Sequence, residues 1–323
     1  MKFDQLKASL KETIMPVYLL EGEEVFFRDR GEDLIKNAAM EEPQLNYARF
    51  EGSSFKQSGL DVLINALAAC PFMSERRVIT VTEWYPTAQD LKDKGLKAYF
   101  EKPFDTSVLV IVNSKKCEAL KKQKSVTLVD CSKGSPELIT KYVRAKATKA
   151  GLIINTNTCR LLIDYCLSDM TRIDGEVDKL IAYSHGEDEI TEAAVDAMVT
   201  KSFDYQIYQM VNFIAGKRYS EAYKVLRELN SIGDRQILFV SIYYHFRKMF
   251  FVSISPKTDS ELAEELSMNE YAVKKTREQA AHFSPKRLKN VMSKFAHLDG
   301  AFKSGKLTFD NAFIDGVFSV LTE

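Results

Sequence analysis

Two patterns of hydrophobic and polar positions alternate along the first 130 residues of this chain. Short runs of apolar, mostly β-branched residues are typical of buried strands, and apolar residues three or four positions apart are typical of helices. The strand-like runs are residues 17–20, 46–50, 78–81, 108–112 and 126–129, and helical spacing covers residues 26–39 and 60–69. Strands separated by helices predict a mostly parallel α/β sheet with helices on both faces.

After Asp130 the strand pattern stops and helical spacing continues to the end of the chain. Ser135 and Pro136 form a strong helix start, because serine caps a helix and proline fits its first position. Further helices are predicted over residues 158–167, 170–184, 207–216, 219–229, 236–252, 285–302 and 310–321, with a short one capped by Thr191. We therefore predict an α/β domain over residues 1–134, a small all-helical domain over 135–202 and a second all-helical domain over 203–323.

Composition agrees with a soluble globular protein, since 45% of the 323 residues are hydrophobic and 28% are charged. The formal net charge is zero, so nothing global marks a nucleic-acid-binding protein. No apolar run approaches the ~20 residues of a membrane span, and the first residues lack a secretory leader. The five cysteines show no CxxC spacing. We expect reduced thiols in the cytoplasm, no metal site and no cofactor.

A strand, a turn at Gly22 and a helix form the context in which a phosphate-binding P-loop would lie. A P-loop needs a second glycine, a lysine and a hydroxyl residue at fixed distances from the first glycine. In those places the chain has Phe27, Arg28 and Asp29, and two glutamates directly follow Gly22. The pattern predicts a nucleotide-binding fold that does not bind nucleotide in the usual way.

Other fragments of ATPase motifs are also incomplete. The strand at residues 78–81 leads to Thr82 and Glu83, where active ATPases have a metal-binding aspartate and a glutamate base. Asn113 follows a strand at the place of a polar sensor, but a structural role is the simpler interpretation. A second near match to a P-loop, at residues 300–307, has Leu307 in place of the hydroxyl residue and follows a helix, so we interpret it as a turn.

Two stretches carry basic residues that could contact nucleic acid. A cluster with Glu118 as its only acid is a candidate for contact with the DNA backbone, although a solvated surface is the usual explanation of such a run. It comprises Lys115, Lys116, Lys121, Lys122 and Lys124. Residues 260–277 resemble a helix-turn-helix, but helix packing is the more plausible purpose. No nucleophile–base pattern is present, and His245 and His282 show no partner for acid–base or metal chemistry.

Phe72 and Met73 lie side by side between the end of a helix, enforced by Pro71, and a strand that begins at Arg77. One interpretation is an exposed apolar tip displayed on a scaffold. The other is that both side chains fold back into the core, and the sequence leaves the two open.

The order of several short motifs along the chain is informative. These motifs lie at residues 17–22, 70–78, 109–112, 174–180 and 299–305. The segment Glu176-Val-Asp-Lys179-Leu180 and the segment around Phe72 are the most specific of them. Over essentially its whole length the chain resembles the delta subunit family of the bacterial DNA polymerase III clamp loader. The resemblance implies an AAA+-like domain without a working P-loop, a helical lid and a helical collar. It also implies that Phe72 and Met73 wedge into a hydrophobic pocket of the sliding clamp. Met73 is a mild departure from the Leu or Phe that is frequent there.

The function implied by this resemblance is opening of the sliding clamp for loading onto primed DNA, without ATPase activity. The implied partners are the clamp, the ATPase subunits and delta prime of the loader, and primer–template DNA through the complex, with no membrane. Such a subunit has no catalysis of its own and is classed with the DNA-directed DNA polymerase, a nucleotidyltransferase, as part of the holoenzyme. The alternatives are an active AAA+ ATPase with an atypical P-loop and a helix-turn-helix DNA-binding regulator.

Overall fold

A computed structural model describes residues 1–232, 234–266, 268 and 270–322 of the chain. The chain divides into two compact units, Met1–Leu138 and Ile139–Glu323. The finer division into three domains, at residues 134/135 and 202/203, stays a prediction.

A five-stranded sheet forms the centre of the first unit. All four pairings of neighbouring strands are parallel, and the strand order is β2-β3-β4-β1-β5. The strands are β1 (Val17–Glu21), β2 (Tyr47–Glu51), β3 (Arg77–Thr82), β4 (Ser107–Asn113) and β5 (Val126–Asp130). Each of the five predicted runs forms one of these strands, which confirms the predicted parallel sheet.

Helices cover both faces of this sheet, because successive side chains of a strand point to opposite faces. Leu19 packs in one core cluster with Leu63 and Leu67, whereas Leu20 lies against Gly31 on the opposite face. The helices of this unit are α1 (Phe3–Glu12), α2 (Val25–Ala39), α3 (Pro43–Asn46), α4 (Phe55–Ser58), α5 (Asp61–Ala68), α6 (Lys94–Glu101) and α7 (Glu118–Lys121).

The second unit is mainly helical, and one core cluster of residues 207–320 contains its longest helix, Arg235–Ile254. This helix is long and apolar enough to cross a membrane by length and composition alone. In the structure it belongs to this core cluster, and its Leu238, Phe246 and Met249 are fully buried against the other helices of the cluster. The helices are α8 (Pro136–Lys149), which contains the division between the units, then α9 (Thr156–Tyr165), α10 (Met170–Tyr183), α11 (Glu192–Met198), α12 (Phe203–Ala215), α13 (Tyr219–Ile232), α14 (Arg235–Ile254), α15 (Asp259–Glu265), α16 (Glu270–Ala280), α17 (Pro285–Lys303) and α18 (Phe309–Thr322).

The helical spacing after Asp130 predicts these helices, so the fold class of an α/β domain followed by helical domains is confirmed. The second unit also contains a two-stranded parallel ladder that helical spacing does not predict. Its strands are β6 (Ile153–Ile154) and β7 (Glu189–Ile190), and each has only two residues. A strand this short leaves no periodicity to recognise.

Contacts within the second unit cross the predicted boundary at residue 202. The Tyr271 hydroxyl donates to Asp164 over 2.8 Å, and the Tyr165 and Tyr205 ring centroids are 4.9 Å apart. The Ser202 N–H also donates to the Tyr165 carbonyl. The segments on either side of residue 202 therefore pack as parts of one compact unit.

Candidate functional site

Phe72 and Met73, here called the tip, lie in the connection between α5 and β3. The Phe72 side chain is 56% exposed and that of Met73 is 78% exposed. Large apolar side chains are normally buried, so two exposed neighbours form a surface feature. The alternative in which both side chains fold into the core is therefore wrong.

The buried Asn46, at the end of α3, holds the backbone of the tip. Its Oδ1 accepts from the Phe72 N–H over 2.7 Å, and its Nδ2 donates to the Phe72 carbonyl over 2.8 Å. The sequence pattern predicts Asn46 in a strand and gives no sign of this role. No local signal reveals it, because the two residues are 26 positions apart in the chain.

Ser74 fixes the far side of the tip. Its Oγ accepts from the Glu41 N–H and donates to the Arg76 carbonyl. Between these contacts Met73 has a φ of +49°, in the left-handed region that few residues other than glycine adopt. The tip is thus a defined turn that displays two apolar side chains.

The altered nucleotide loop, residues 22–29, uses its backbone amides within the protein. The Gly22 N–H donates to Asn113 and the Glu24 N–H donates to Cys131. Gly22 has a φ of +152°, and a Cβ there would lie 2.1 Å from the Cys131 carbonyl carbon. Glycine is required at this turn for packing against the end of β5, and these two amides are not available to bind phosphate.

Phe27, Arg28 and Asp29 stand where a P-loop has its phosphate-binding residues, and none of the three is placed to bind phosphate. Phe27 is buried and stacks on Phe3 with centroids 4.5 Å apart. Arg28 forms an ion pair with Glu83 at 3.2 Å. Asp29 is exposed and would repel an anion. The loop therefore lacks the free cation of a P-loop, and its Gly22 and Glu24 amides are already bonded within the protein.

Glu83, at the place of a general base, is fully engaged. Its carboxylate accepts hydrogen bonds from Arg28, from the Tyr85 hydroxyl, and from the backbone and side chain of Ser114. Burial alone would raise the pKa of Glu83, but the hydrogen bonds from Tyr85 and Ser114, with the charge of Arg28, lower it. A carboxylate with a lowered pKa and four donors is a poor acceptor of a proton from water.

Asn113, the candidate sensor, has the structural role that we expected. It is fully buried, its Nδ2 donates to the Trp84 carbonyl over 2.7 Å, and its Oδ1 accepts from the Trp84 N–H over 2.9 Å. Its carboxamide thus holds the loop after β3 and, because it is fully buried, is not accessible to a nucleotide.

The basic cluster divides into two groups. Lys121 pairs with Glu21 at 2.7 Å and with Glu118 at 3.0 Å, so its charge is neutralised inside the protein. In the part of the chain that the structure describes, no carboxylate forms an ion pair with the other four, which are exposed. These are Lys115, Lys116, Lys122 and Lys124.

The helix-turn-helix-like stretch packs as part of the helical core. Arg277 donates to Asp259 over 2.8 Å and to the Val252 and Lys257 carbonyls, so it is not available to read bases. Ser267 and Asn269 of this stretch lie outside the described residues. The near P-loop at residues 300–307 is the turn after α17, where Gly305 has a φ of +73°.

No metal centre is found in the ranges that the structure describes, which contain no group of three His, Cys, Asp or Glu side chains suited to an ion. All five cysteines are free thiols, of which Cys70 is exposed and the others buried. His245 is partly buried, and its Nε2 lies 2.6 Å from the Gln279 carboxamide oxygen.

Comparison with known proteins places these features in a family. A family model of the DNA polymerase III delta subunit matches residues 18–133, and a model of the C-terminal domain of the same subunit matches residues 204–314. DNA polymerase III subunit delta of Bacillus subtilis (strain 168) is 23% identical over 95% of this chain and 93% of that protein. The structure of the Bacillus subtilis DNA clamp loader delta protein superposes with a TM-score of 0.80 at 21% identity, covering 99% of this chain and 100% of the other.

Proposed function

Because this chain belongs to the DNA polymerase III delta subunit family, we propose that it binds the sliding clamp through the tip and opens the clamp for loading onto primed DNA. The first unit is an α/β domain with a five-stranded parallel sheet, and in this proposal it acts as the AAA+-like scaffold that presents the tip.

The exposed pair Phe72 and Met73 is the observation that carries this proposal. Aromatic anchors surrounded by weaker contacts dominate protein interfaces, and methionine adapts to irregular apolar surfaces. Two such side chains on a backbone already fixed by Asn46 and Ser74 lose little further freedom when they bind. The tip therefore suits insertion into an apolar pocket of a partner.

Opening of the clamp follows in this proposal from differential binding. A ligand shifts an equilibrium only by the difference of its affinities for the two states. If the tip binds the open clamp more tightly than the closed one, binding favours opening without any chemical step on this chain.

ATP hydrolysis belongs in this proposal to other subunits of the loader. The Arg28–Glu83 pair and the internal use of the Gly22 and Glu24 amides support a chain without ATPase activity. The helices from residue 203 onward are the proposed collar that joins those subunits, including delta prime, in a cytoplasmic complex.

A secondary proposal concerns DNA. The four exposed lysines of the basic cluster, without carboxylate partners among the described residues, suit contact with the phosphates of primer–template DNA. Lys121 is left out of this proposal because Glu21 and Glu118 neutralise it.

The test is the affinity of the purified full chain for the sliding clamp of the same organism. The double variant Phe72→Ala, Met73→Ala should weaken binding about 30-fold or more, since hot-spot truncations typically cost ~2–4 kcal/mol. The control Ile153→Ala removes a side chain that is 66% exposed in the second unit and should bind normally. Thermal unfolding of both should match the parent protein within about 0.5 kcal/mol. Unchanged clamp affinity of the double variant would show that the tip is not the clamp-binding site.

A further inference from the structure

Asn46 is only 1% exposed, yet its side chain is committed to a residue of the exposed tip. We propose that Asn46 is a positioning residue, which holds Phe72 and Met73 in the conformation that binds the clamp. This inference rests on the proposed function and extends it to a residue outside the contact surface.

The carboxamide of Asn46 matches this task chemically. A carboxamide offers both an acceptor and donors, so one side chain can bind the N–H and the carbonyl of the same residue. Both Phe72 groups are bound in this way, at 2.7 and 2.8 Å, and Nδ2 also donates to the Glu41 carbonyl at 2.9 Å. An aspartate or an aliphatic residue of similar size cannot make this set of bonds.

The tip depends on such side-chain contacts because its backbone has no ladder or helix to hold it. Helix α5 ends at Ala68, β3 begins at Arg77, and Pro71 has no N–H to donate. Within the described part of the chain, residues 70–76 form no hydrogen bond between backbone groups. The bonds from Asn46 and Ser74 are therefore what fixes the turn.

Met73 increases this dependence. Its φ of +49° is sparsely populated for residues other than glycine, and such conformations persist only where their surroundings impose them. The exposed Phe72 and Met73 side chains supply little packing of their own. Without Asn46 the turn would relax to other conformations, and the freedom gained would have to be lost again on binding.

A second asparagine of this protein binds a backbone in the same way. The Asn113 side chain donates to the Trp84 carbonyl over 2.7 Å and accepts from the Trp84 N–H over 2.9 Å. There the residue that is held is itself buried, because Trp84 is only 4% exposed. Asn113→Ala thus provides a matched control, since it removes an equivalent pair of bonds from a loop that is not the tip.

The experiment is a double-mutant cycle on clamp affinity, with Asn46→Ala introduced into the parent chain and into Phe72→Ala. Asn46→Ala should weaken clamp binding about tenfold in the parent chain and less than threefold in the Phe72→Ala chain, because the anchor that it positions is then gone. Asn113→Ala should have the same small effect on affinity in both backgrounds. All measurements are made at a temperature at which circular dichroism shows each variant to be folded.

Hydrogen exchange supplies a second readout on the free protein. Asn46→Ala should speed exchange of the Phe72 amide, whose hydrogen bond it removes, and leave the amides of β3 protected, since only the turn is released. If Asn46→Ala does not fold, Ser74→Ala, which removes the other contact of the turn, should speed exchange of the Glu41 amide and show the same non-additivity with Phe72→Ala.

The positioning role would be overturned if Asn46→Ala weakened clamp binding equally in the parent chain and in the Phe72→Ala chain. It would also be overturned if Asn46→Ala did not weaken clamp binding in the parent chain. Failure of the proposed function is distinguishable, because then Phe72→Ala alone leaves the clamp affinity unchanged.

Discussion

Arg28 lies 3.2 Å from Glu83, so the residue in the place of a P-loop lysine neutralises the residue in the place of an ATPase base. The two positions are 55 residues apart in the chain and belong to different motifs. Their direct contact occupies the space between them with protein groups of opposite charge. A triphosphate would have to break this pair and then meet the exposed Asp29.

The isolated chain should not bind ATP at physiological concentration. The Gly22 and Glu24 amides are bonded within the protein, and Arg28 is paired with Glu83, so the loop offers no unpaired cation to the phosphates. Calorimetry with Mg-ATP should show no saturable heat, with an ATP-binding loader subunit as the positive control. Saturable binding at micromolar affinity would revive the interpretation as an active ATPase.

Gly22→Ala should destabilise the protein by about 3 kcal/mol or more, because the added Cβ would overlap the Cys131 carbonyl carbon and the backbone conformation is one that alanine avoids. Gly175→Ala is the matched control. Gly175 lies inside α10, and a methyl group added there would meet no atom within 4 Å beyond the backbone of its own helix. Alanine at that position should therefore stabilise the protein by about 0.5–1 kcal/mol. Urea unfolding of the three proteins gives the comparison, and equal stabilities would contradict the packing described at Gly22.

Stability should fall between about pH 6.5 and pH 4 through His245. Burial lowers the pKa of His245 from 6.5 to about 4, and the charge of Lys248 lowers it further. The hydrogen bond to Gln279 and the charge of Asp204 oppose this shift. The unfolded chain therefore takes up a proton in this range while the folded chain does not, and stability falls by about 1.4 kcal/mol per pH unit.

His245→Gln measures this contribution. The Gln279 amide nitrogen donates to the Tyr208 carbonyl and to Asn212, so its oxygen accepts from His245 Nε2, and glutamine can replace that donor. The unfolding free energy of the variant should depend less steeply on pH between 6.5 and 4. Above pH 7 the unfolding free energies of the variant and the parent protein should change equally with pH. Parallel curves between pH 6.5 and pH 4 would contradict a His245 that stays neutral in the folded chain.

A fragment of residues 135–323 should fold more stably than a fragment of residues 203–323. The shorter fragment loses the bond from Tyr271 to Asp164 and the contact between the Tyr165 and Tyr205 rings. A hydrogen bond of this kind contributes about 1 kcal/mol, and the lost contact between the two rings adds to it. Thermal unfolding followed by circular dichroism compares them, and equal midpoints would favour an independent collar that begins at residue 203.

Replacement of Lys116 and Lys122 by glutamine should weaken primer–template binding by the assembled loader and reduce its salt dependence. Each phosphate contact that is lost lowers the slope of log affinity against log salt by about 0.9 for duplex DNA. Lys121→Gln is not a suitable control, because it would leave the buried Glu21 unpaired. Lys97→Gln, an exposed lysine on α6, serves instead, and an unchanged slope in the double variant would remove the cluster from the DNA site.

The secondary-structure elements with a clear local pattern of apolar residues were predicted best from the sequence. The five strands of the sheet were recognisable because β-branched residues are buried on both faces there, as in Val108 to Val112. Helix α1 was not recognised, although Phe3, Leu6 and Leu10 have helical spacing, because the helix is short and only two of its ten residues are buried. The ladder of β6 and β7 was too short to give a pattern.

The candidate site was predictable in its residues and not in its contacts. Adjacent apolar residues after Pro71 are visible in the sequence, as is the replacement of the P-loop residues. The contacts of Phe72 with Asn46 and of Arg28 with Glu83 are not visible in the sequence. The fold of the sheet brings these residues together across 26 and 55 positions of the chain, respectively. The ion pair of Lys121 with Glu21, two residues far apart in the chain, was hidden for the same reason.

Strand β3 gives the tip a mechanical property. The turn that carries Phe72 leads directly into this strand, which is hydrogen-bonded on one edge to β2 and on the other to β4. A pull on the tip along the strand axis would load both rows of bonds in shear, so that they share the force over a strand about 20 Å long instead of breaking one after another. The anchor of the tip is thus built to resist tension.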